Sequence, residues 1–204
     1  MIIEIKVVYI YISIACISLL IILVYLYRLS IRIKNINDLP NNIKGIQLIG
    51  IVTSVSDGDG FKFCHMPVFR KLSKDTLSIR LAGIDAPETR SFKIPAQPLS
   101  DKSKECLENL VLNRYVTIEL INRDRYNRLL CLVYIKNWCN SLNINLEMLR
   151  KGMACVYTGS DGVYGNLKNE MLEVEQEAKK NKIGMWSLKN LVLPLDYKKA
   201  HRKK

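Results

Sequence analysis

The chain has 204 residues, with 31 Lys+Arg against 19 Asp+Glu, a formal net charge of +12 and a 49% hydrophobic share. That length supports one domain with a proper core plus an accessory segment. The basic excess favours a polyanion partner, either nucleic acid or an anionic membrane surface. Six cysteines (16, 64, 106, 131, 139 and 155) form no Cys-x-x-Cys pair, and His65 and His201 are far apart. These spacings argue against a zinc site, a disulfide framework and a histidine-ligated metallohydrolase, and free, mostly buried thiols are expected.

In chain order, Val7 to Tyr27 is apolar and uncharged, with Tyr9, Tyr11, Tyr25 and Tyr27 near its ends. About 20 helical residues cross a bilayer, and interfacial aromatics flank such spans, so an uncleaved transmembrane helix is predicted at 7–27 after a tail at 1–6. Arg28, Arg32 and Lys34 then open a basic, polar linker at 28–44. Strands follow. Ile46 to Ser56 runs into Asp57-Gly58-Asp59-Gly60, a hairpin signal, and Phe61 to Cys64 returns. A long basic turn, His65 to Asp75, leads to a third strand from Thr76 to Ala82 that ends near Asp85, because Pro87 lacks a backbone N–H.

Beyond Pro87 a loop closed by Pro95 and Pro98 precedes a helix capped by Ser100 and running to about Leu112. Tyr115 to Asn122 and Arg128 to Ile135 alternate as strands around a polar turn, where Asn127 tolerates left-handed backbone. Leu142 to Lys151 reads as a short helix ended by Gly152, and Ala154 to Tyr157 as a short strand. Leu167, Met171, Val174 and Ala178 recur at helical spacing before Gly184, Trp186 is expected to pack on the core, and Lys198 to Lys204 reads as a disordered basic tail. The fold class expected is α+β, mainly β: a five-stranded closed barrel of the oligonucleotide-binding (OB) type, spanning 45–190, with a basic tail at 191–204.

The chemistry concentrates at strand ends. Taken singly, Arg80 is an ordinary strand arginine, Glu88 a loop carboxylate, Asp57 to Gly60 a hairpin turn and Asp124 to Arg128 a polar turn. Together they supply what phosphodiester cleavage needs: charge neutralisation, an activated water and in-line positioning. Asp59 and Asp85 are hard oxygen donors that suit Ca²⁺ or Mg²⁺ and not zinc. A carboxylate serves as general base, and arginine forks bind equatorial phosphoryl oxygens.

Asp57-Gly58-Asp59, then Arg80 and Asp85-Ala86-Pro87-Glu88, then Asp124-Arg125-Tyr126-Asn127-Arg128 resemble the staphylococcal nuclease (thermonuclease) family. The similarity extends from about Gly45 to Ser187. Within the family the chain is most similar to the membrane-anchored fungal mitochondrial nucleases, which share an amino-terminal span, a third strand of the Lys74-to-Arg80 type and a Pro95-Ala96-Gln97-Pro98 segment. The resemblance implies a five-stranded barrel with three helices. It implies Arg80 and Arg128 as stabilisers of the pentacoordinate phosphate, with Arg128 also assisting the leaving oxygen, and Glu88 as general base. Asp59, Asp85 and the Ala86 carbonyl would bind Ca²⁺, with Asp57 beside them. Products would be 3′-phosphates from DNA or RNA. Arg125, Tyr126 and Tyr157 are the candidates for gripping the nucleotide. Gly60 and Ala86 stand where the secreted bacterial enzymes carry threonines, so altered metal affinity is expected.

The function expected is a Ca²⁺-dependent endonuclease, with Mg²⁺ as the other cation, tethered to a membrane that the resemblance makes mitochondrial. The alternative is an OB-type module that binds nucleic acid at a membrane with little or no cleavage.

Overall fold

The computed structural model describes residues 2–67, 71–90, 95–138 and 140–202, without the side chains of 2–10, 28–29 and 202. The chain divides into two compact units, one within 1–32 and 67–71 and the other within 33–66 and 72–204.

In the first unit Ile2–Ser30 is a single helix, α1. Side chains 11–27 are all exposed and overwhelmingly apolar, from Tyr11 to Tyr27. A helix apolar on every side offers water no polar face. Among the described residues, however, no helix is long and apolar enough to cross a membrane. The predicted span at 7–27 extends over residues 7–10, whose side chains lie outside the described ones. The helix is shown; a transmembrane span is not.

The second unit is built on strands, of which the first and third alternate buried with less buried residues, as the two-residue period of a sheet requires, while the others are buried on both faces over part of their length. They are β1 (Gln47–Asp57), β2 (Gly60–His65), β3 (Leu77–Leu81), β5 (Tyr115–Arg123) and β6 (Leu129–Lys136). The order β3-β2-β1-β5-β6 closes through a parallel β3–β6 pairing, Ile79 opposite Leu129. Closure removes the sheet edges and buries Val52, Phe61, Phe63, Ile79, Leu81, Ile118, Leu120 and Leu129 inside. Asn127 takes the expected left-handed turn conformation, φ 61°.

Several local expectations give way to the packing. The third strand stops at Leu81, because Gly83 (φ 75°) turns the chain into a separate strand, β4 (Ile84–Asp85). It pairs with β8 (Cys155–Val156), Asp85 opposite Cys155. The helix predicted at 142–151 begins later: Ser141–Asn143 adds a strand, β7, to the edge of β6, and α3 is Ile144–Arg150, capped by the Asn143 side chain accepting from the Leu146 N–H. Ser100 is the first residue of α2 (Ser100–Val111) and not its cap; Leu99 occupies the cap in left-handed conformation.

The region 33–44, predicted as linker, packs Ile36, Leu39 and Ile43 into the core and belongs to the barrel unit. Helix α4 (Lys168–Lys180) buries Met171 and Ala178, after which Met185 is the buried residue. Trp186 is only half-buried, with the Lys179 ammonium 4.5 Å from its ring. The tail predicted to be disordered contains a helix, α5 (Pro194–Arg202). With α1, the described residues hold five α-helices, and the barrel unit carries four where the resemblance implies three. Cys64, Cys131 and Cys155 are buried free thiols; Cys139 and Arg70 of the basic turn lie outside the described residues.

One buried amide fastens the helical layer to the barrel. Asn145 accepts from the Val133 N–H (3.0 Å) and donates to the carbonyls of Ala82 (2.9 Å) and Cys131 (3.1 Å). Replacing it with alanine takes that partner from the Val133 N–H and the Ala82 carbonyl in a dry site, while the Cys131 carbonyl keeps the Ala82 N–H at 2.8 Å. Asn145→Ala is expected to destabilise the protein by about 2–4 kcal/mol in urea unfolding.

Candidate active site

The β2–β3 register sets Arg80 opposite Gly60, the residue after Asp59. Alternation along β3 and the start of β6 puts Ile79, Leu81, Leu129 and Cys131 in the core, and turns Arg80 on β3 and Arg128, the residue just before β6, away from it. The Arg80 guanidinium donates to Asp59 Oδ1 (3.1 Å) and lies 2.8 Å from Asp59 Oδ2 and 2.5 Å from Asp85 Oδ1. Asp59 is 2% exposed and Asp85 1%, so the three charges are held away from water. Asp59 Oδ2 also accepts the Ala86 N–H at 3.2 Å, which ties the β1–β2 turn to the loop after β4. Gly58 in that turn has no substitute, since a Cβ would lie 1.9 Å from Ser103 Oγ on α2.

The electrostatics follow from this crowding. Burial opposes the Arg80 charge, but Asp59 and Asp85 outweigh it and push the guanidinium further above its ordinary value. Burial, then Asp59, push the Asp85 carboxyl up against the pull of Lys198 and Arg80. Asp57 is pushed up to about 7, by burial first and Asp59 second. Three carboxylates thus share too little positive charge.

A cavity of about 610 Å³ opens beside them. Arg80, Glu88 and Arg128 all face it, as do Asp57, Arg125, Tyr126 and Tyr157. Asp59, Asp85 and Ala86 are buried behind Arg80. Arg128 is aimed by Asp124, whose Oδ2 accepts from Nε (2.7 Å) and whose Oδ1 accepts the N–H groups of Tyr126 (2.8 Å) and Arg128 (2.9 Å). The Tyr126 ring is flanked by the Arg125 and Arg128 guanidinium groups at 5.0 and 5.5 Å and keeps an exposed face. Tyr157 follows β8, its N–H donating to the Gly83 carbonyl and its hydroxyl to Asp161.

Among the described residues no three His, Cys, Asp or Glu side chains gather as a metal cage. The donors present still fit a hard cation. Asp85 Oδ2 is buried without a hydrogen-bond partner, an arrangement costly for a carboxylate oxygen unless a cation supplies the missing interaction. Mg²⁺ and Ca²⁺ both accept a pair of carboxylates and fill the remaining positions with carbonyls or water. Asp59 and Asp85 would hold it, with the Ala86 carbonyl adjacent in the chain.

Residues 78–188 match the family described as "Staphylococcal nuclease homologue". The chain belongs to the staphylococcal nuclease family. It is 38% identical over 189 residues to "Probable endonuclease LCL3" of Candida dubliniensis, covering 83% of this chain and 80% of the relative. It is 34% identical over 191 residues to "Probable endonuclease LCL3" of Komagataella phaffii, covering 84% of each. It is also 34% identical over 177 residues to "Endonuclease Htp3" of Saprolegnia parasitica, covering 82% of this chain and 84% of that one.

Gly60, where the secreted family members carry threonine, has a structural reason: a Cβ there would lie 2.6 Å from Asp57 Oδ1. Asp57 occupies that space. Three residues to which the motifs assign no role also join the site. Gln97 accepts the Glu88 N–H (3.1 Å) and donates to the Val192 carbonyl (2.6 Å). Glu175, buried on α4, accepts the Val156 N–H (2.8 Å) and so fixes β8 beneath Tyr157. Lys198 on α5 lies 2.8 Å from Asp85 Oδ1 and 2.7 Å from Glu88 Oε1. The available signal for α5 was Pro194 at a first helical position with Asp196 in the first turn.

Asp57 yields a pH test. Its carboxyl is raised from 3.8 to about 7 in the folded state, so the native protein holds an extra proton between those values. Its stabilising contribution is complete below pH 4 and is lost as pH rises through 7. In chelator, the melting temperature of Asp57→Asn relative to wild type should therefore climb between pH 4 and 7 and stay level above it. A difference independent of pH would contradict this.

Proposed function

We propose that this nuclease-family chain, a phosphodiester hydrolase, is a divalent-cation-dependent endonuclease acting on DNA or RNA and tethered to a membrane through α1. One observation carries the reading: Arg80, Glu88 and Arg128 face a single cavity, with Asp59 and Asp85 buried immediately behind it.

The residues divide the work by position. When bound at Asp59 and Asp85, the cation would polarise a phosphoryl oxygen and offset its charge. Calcium is the cation proposed, with magnesium the other candidate. Glu88 presents its carboxylate to the cavity, where it can orient a water and accept its proton. Arg80 on β3 and Arg128 just ahead of β6 line the same space. Their N–H groups meet the phosphoryl oxygens as charge builds there, and Arg128 is placed to steady the departing oxygen. Tyr126 offers a ring face for a base, with Arg125 beside it for phosphate and Tyr157 on the facing wall. The relatives' names, all endonucleases, support cleavage over mere binding.

The tether rests on the exposed apolar girdle of α1 and the uncharged run Val7 to Tyr27. A mitochondrial membrane is proposed from the family resemblance.

The test is cleavage of single-stranded DNA by the full chain with Ca²⁺, with Mg²⁺ and with chelator. Activity should require the cation and leave 3′-phosphate ends. Glu88→Gln should slow cleavage by about 10²-fold or more, and Arg128→Ala by about 10²–10³-fold, with melting temperatures near wild type. Glu88→Gln cleaving within a few-fold of wild type would remove the base from its role. After alkaline carbonate extraction the chain should stay in the membrane pellet, and its release would overturn the tether.

A further inference from the structure

One of the two carboxylates proposed to hold the cation, Asp85, already carries an ammonium of the chain's own. Lys198 Nζ sits 2.8 Å from Asp85 Oδ1 and 2.7 Å from Glu88 Oε1, joining a proposed metal ligand to the proposed base. Its side chain is 17% exposed and that of Asp85 1%, so this ammonium is largely withdrawn from water. The contact is built and not incidental. Pro194 is buried at the start of α5, and the Tyr197 hydroxyl faces the Pro95 carbonyl at 3.4 Å. The buried Gln97 clamps the Glu88 N–H with one end and the Val192 carbonyl, just before α5, with the other. Leu195, Lys198 and Lys199 form one wall of the catalytic cavity. Helix α5 itself lies beyond residues 78–188, the stretch that matches the family.

We propose that α5 is an autoinhibitory cap whose Lys198 ammonium competes with the divalent cation for Asp85 and holds Glu88 out of use. The inference rests on the cation-dependent reading given above. A cation at Asp85 and an ammonium hydrogen-bonded to the same carboxylate are like charges within about 5 Å, separated by low-dielectric surroundings. Asp85 cannot serve both at full strength. Glu88, while it accepts from Lys198, has a carboxylate oxygen occupied by an ammonium group and not by a water. Tight binding of the cation therefore favours departure of Lys198, and by thermodynamic reciprocity the cation must loosen α5 as much as α5 weakens the cation. A nucleic-acid backbone helps the exchange, because Lys198 can pass to a phosphate as it leaves the carboxylates.

The experiment is calorimetric titration of Ca²⁺ into the full chain and its variants, without substrate, paired with hydrogen exchange over 194–202. Lys198→Gln should bind Ca²⁺ at least about tenfold more tightly than wild type. Lys198→Arg, which keeps the charge, should stay near wild type. Lys199→Gln changes net charge equally, but Lys199 pairs with Asp196 and not with Asp85, so it should shift affinity less than about twofold. In wild type, saturating Ca²⁺ should speed exchange in 194–202, a readout that needs no variant to fold.

Equal Ca²⁺ affinity in wild type and Lys198→Gln, or exchange in 194–202 unchanged or slowed by Ca²⁺, would overturn the competition while leaving the cation-dependent reading intact. Equal gains from Lys198→Gln and Lys199→Gln would reduce the effect to net charge and overturn it too. Absence of Ca²⁺ and Mg²⁺ binding in every variant would overturn both readings together.

Discussion

Asp59 and Asp85 are buried around one guanidinium, and the rest of the barrel unit is arranged to make that tolerable. Carboxylates so deeply withdrawn from water need compensating charge, and Arg80 supplies one unit of it at 2.5–2.8 Å. Lys198 supplies another to Asp85. Yet Asp85 Oδ2 and Asp57 Oδ1 remain without partners. The site is short of positive charge by construction, which is the condition under which a divalent cation and an incoming phosphate are both accommodated.

Barrel closure is what brings these groups together. The parallel β3–β6 pairing brings Arg80 and Arg128, the residue just before β6, to the same cavity although 48 positions separate them in the chain, and the β2–β3 register sets Arg80 beside the Asp59 turn. The β4–β8 pair then carries Asp85 and Tyr157 to the same end. Asn145 and Glu175, neither of which faces the cavity, hold these pieces by satisfying backbone groups that the broken third strand leaves unpaired. Catalytic positioning and fold stability thus draw on the same buried polar contacts, so a change in either amide or carboxylate will disturb both.

The strands of the barrel were legible because their signals are local, whereas the grouping of Arg80, Glu88 and Arg128 was legible through the resemblance to the nuclease family. Alternating apolar residues mark strands, Asp-Gly pairs mark the hairpin, and Pro87 marks a strand end. What escaped depends on distant partners. Gly83 reads as one more strand residue until its left-handed conformation splits β3 from β4. Ile36, Leu39 and Ile43 read as part of a polar linker because their apolar neighbours lie in the core. Residues 191–202 look like a charged tail, since lysines are ordinarily solvated there; Gln97 and two carboxylates about a hundred positions earlier give them a place to dock.

A crystal structure of the full chain with Ca²⁺ and a nucleoside bisphosphate would test the central claim most directly, namely that buried carboxylates short of positive charge make this a cation-dependent phosphodiesterase site. The account predicts an anomalous peak within about 2.3–2.6 Å of oxygens from both Asp59 and Asp85. The phosphate should be bridged to that ion and contacted by Arg80 and Arg128, with Lys198 withdrawn from Asp85. A phosphate bound in the cavity with no ion at the two carboxylates, and Arg80 still folded onto them, would contradict it.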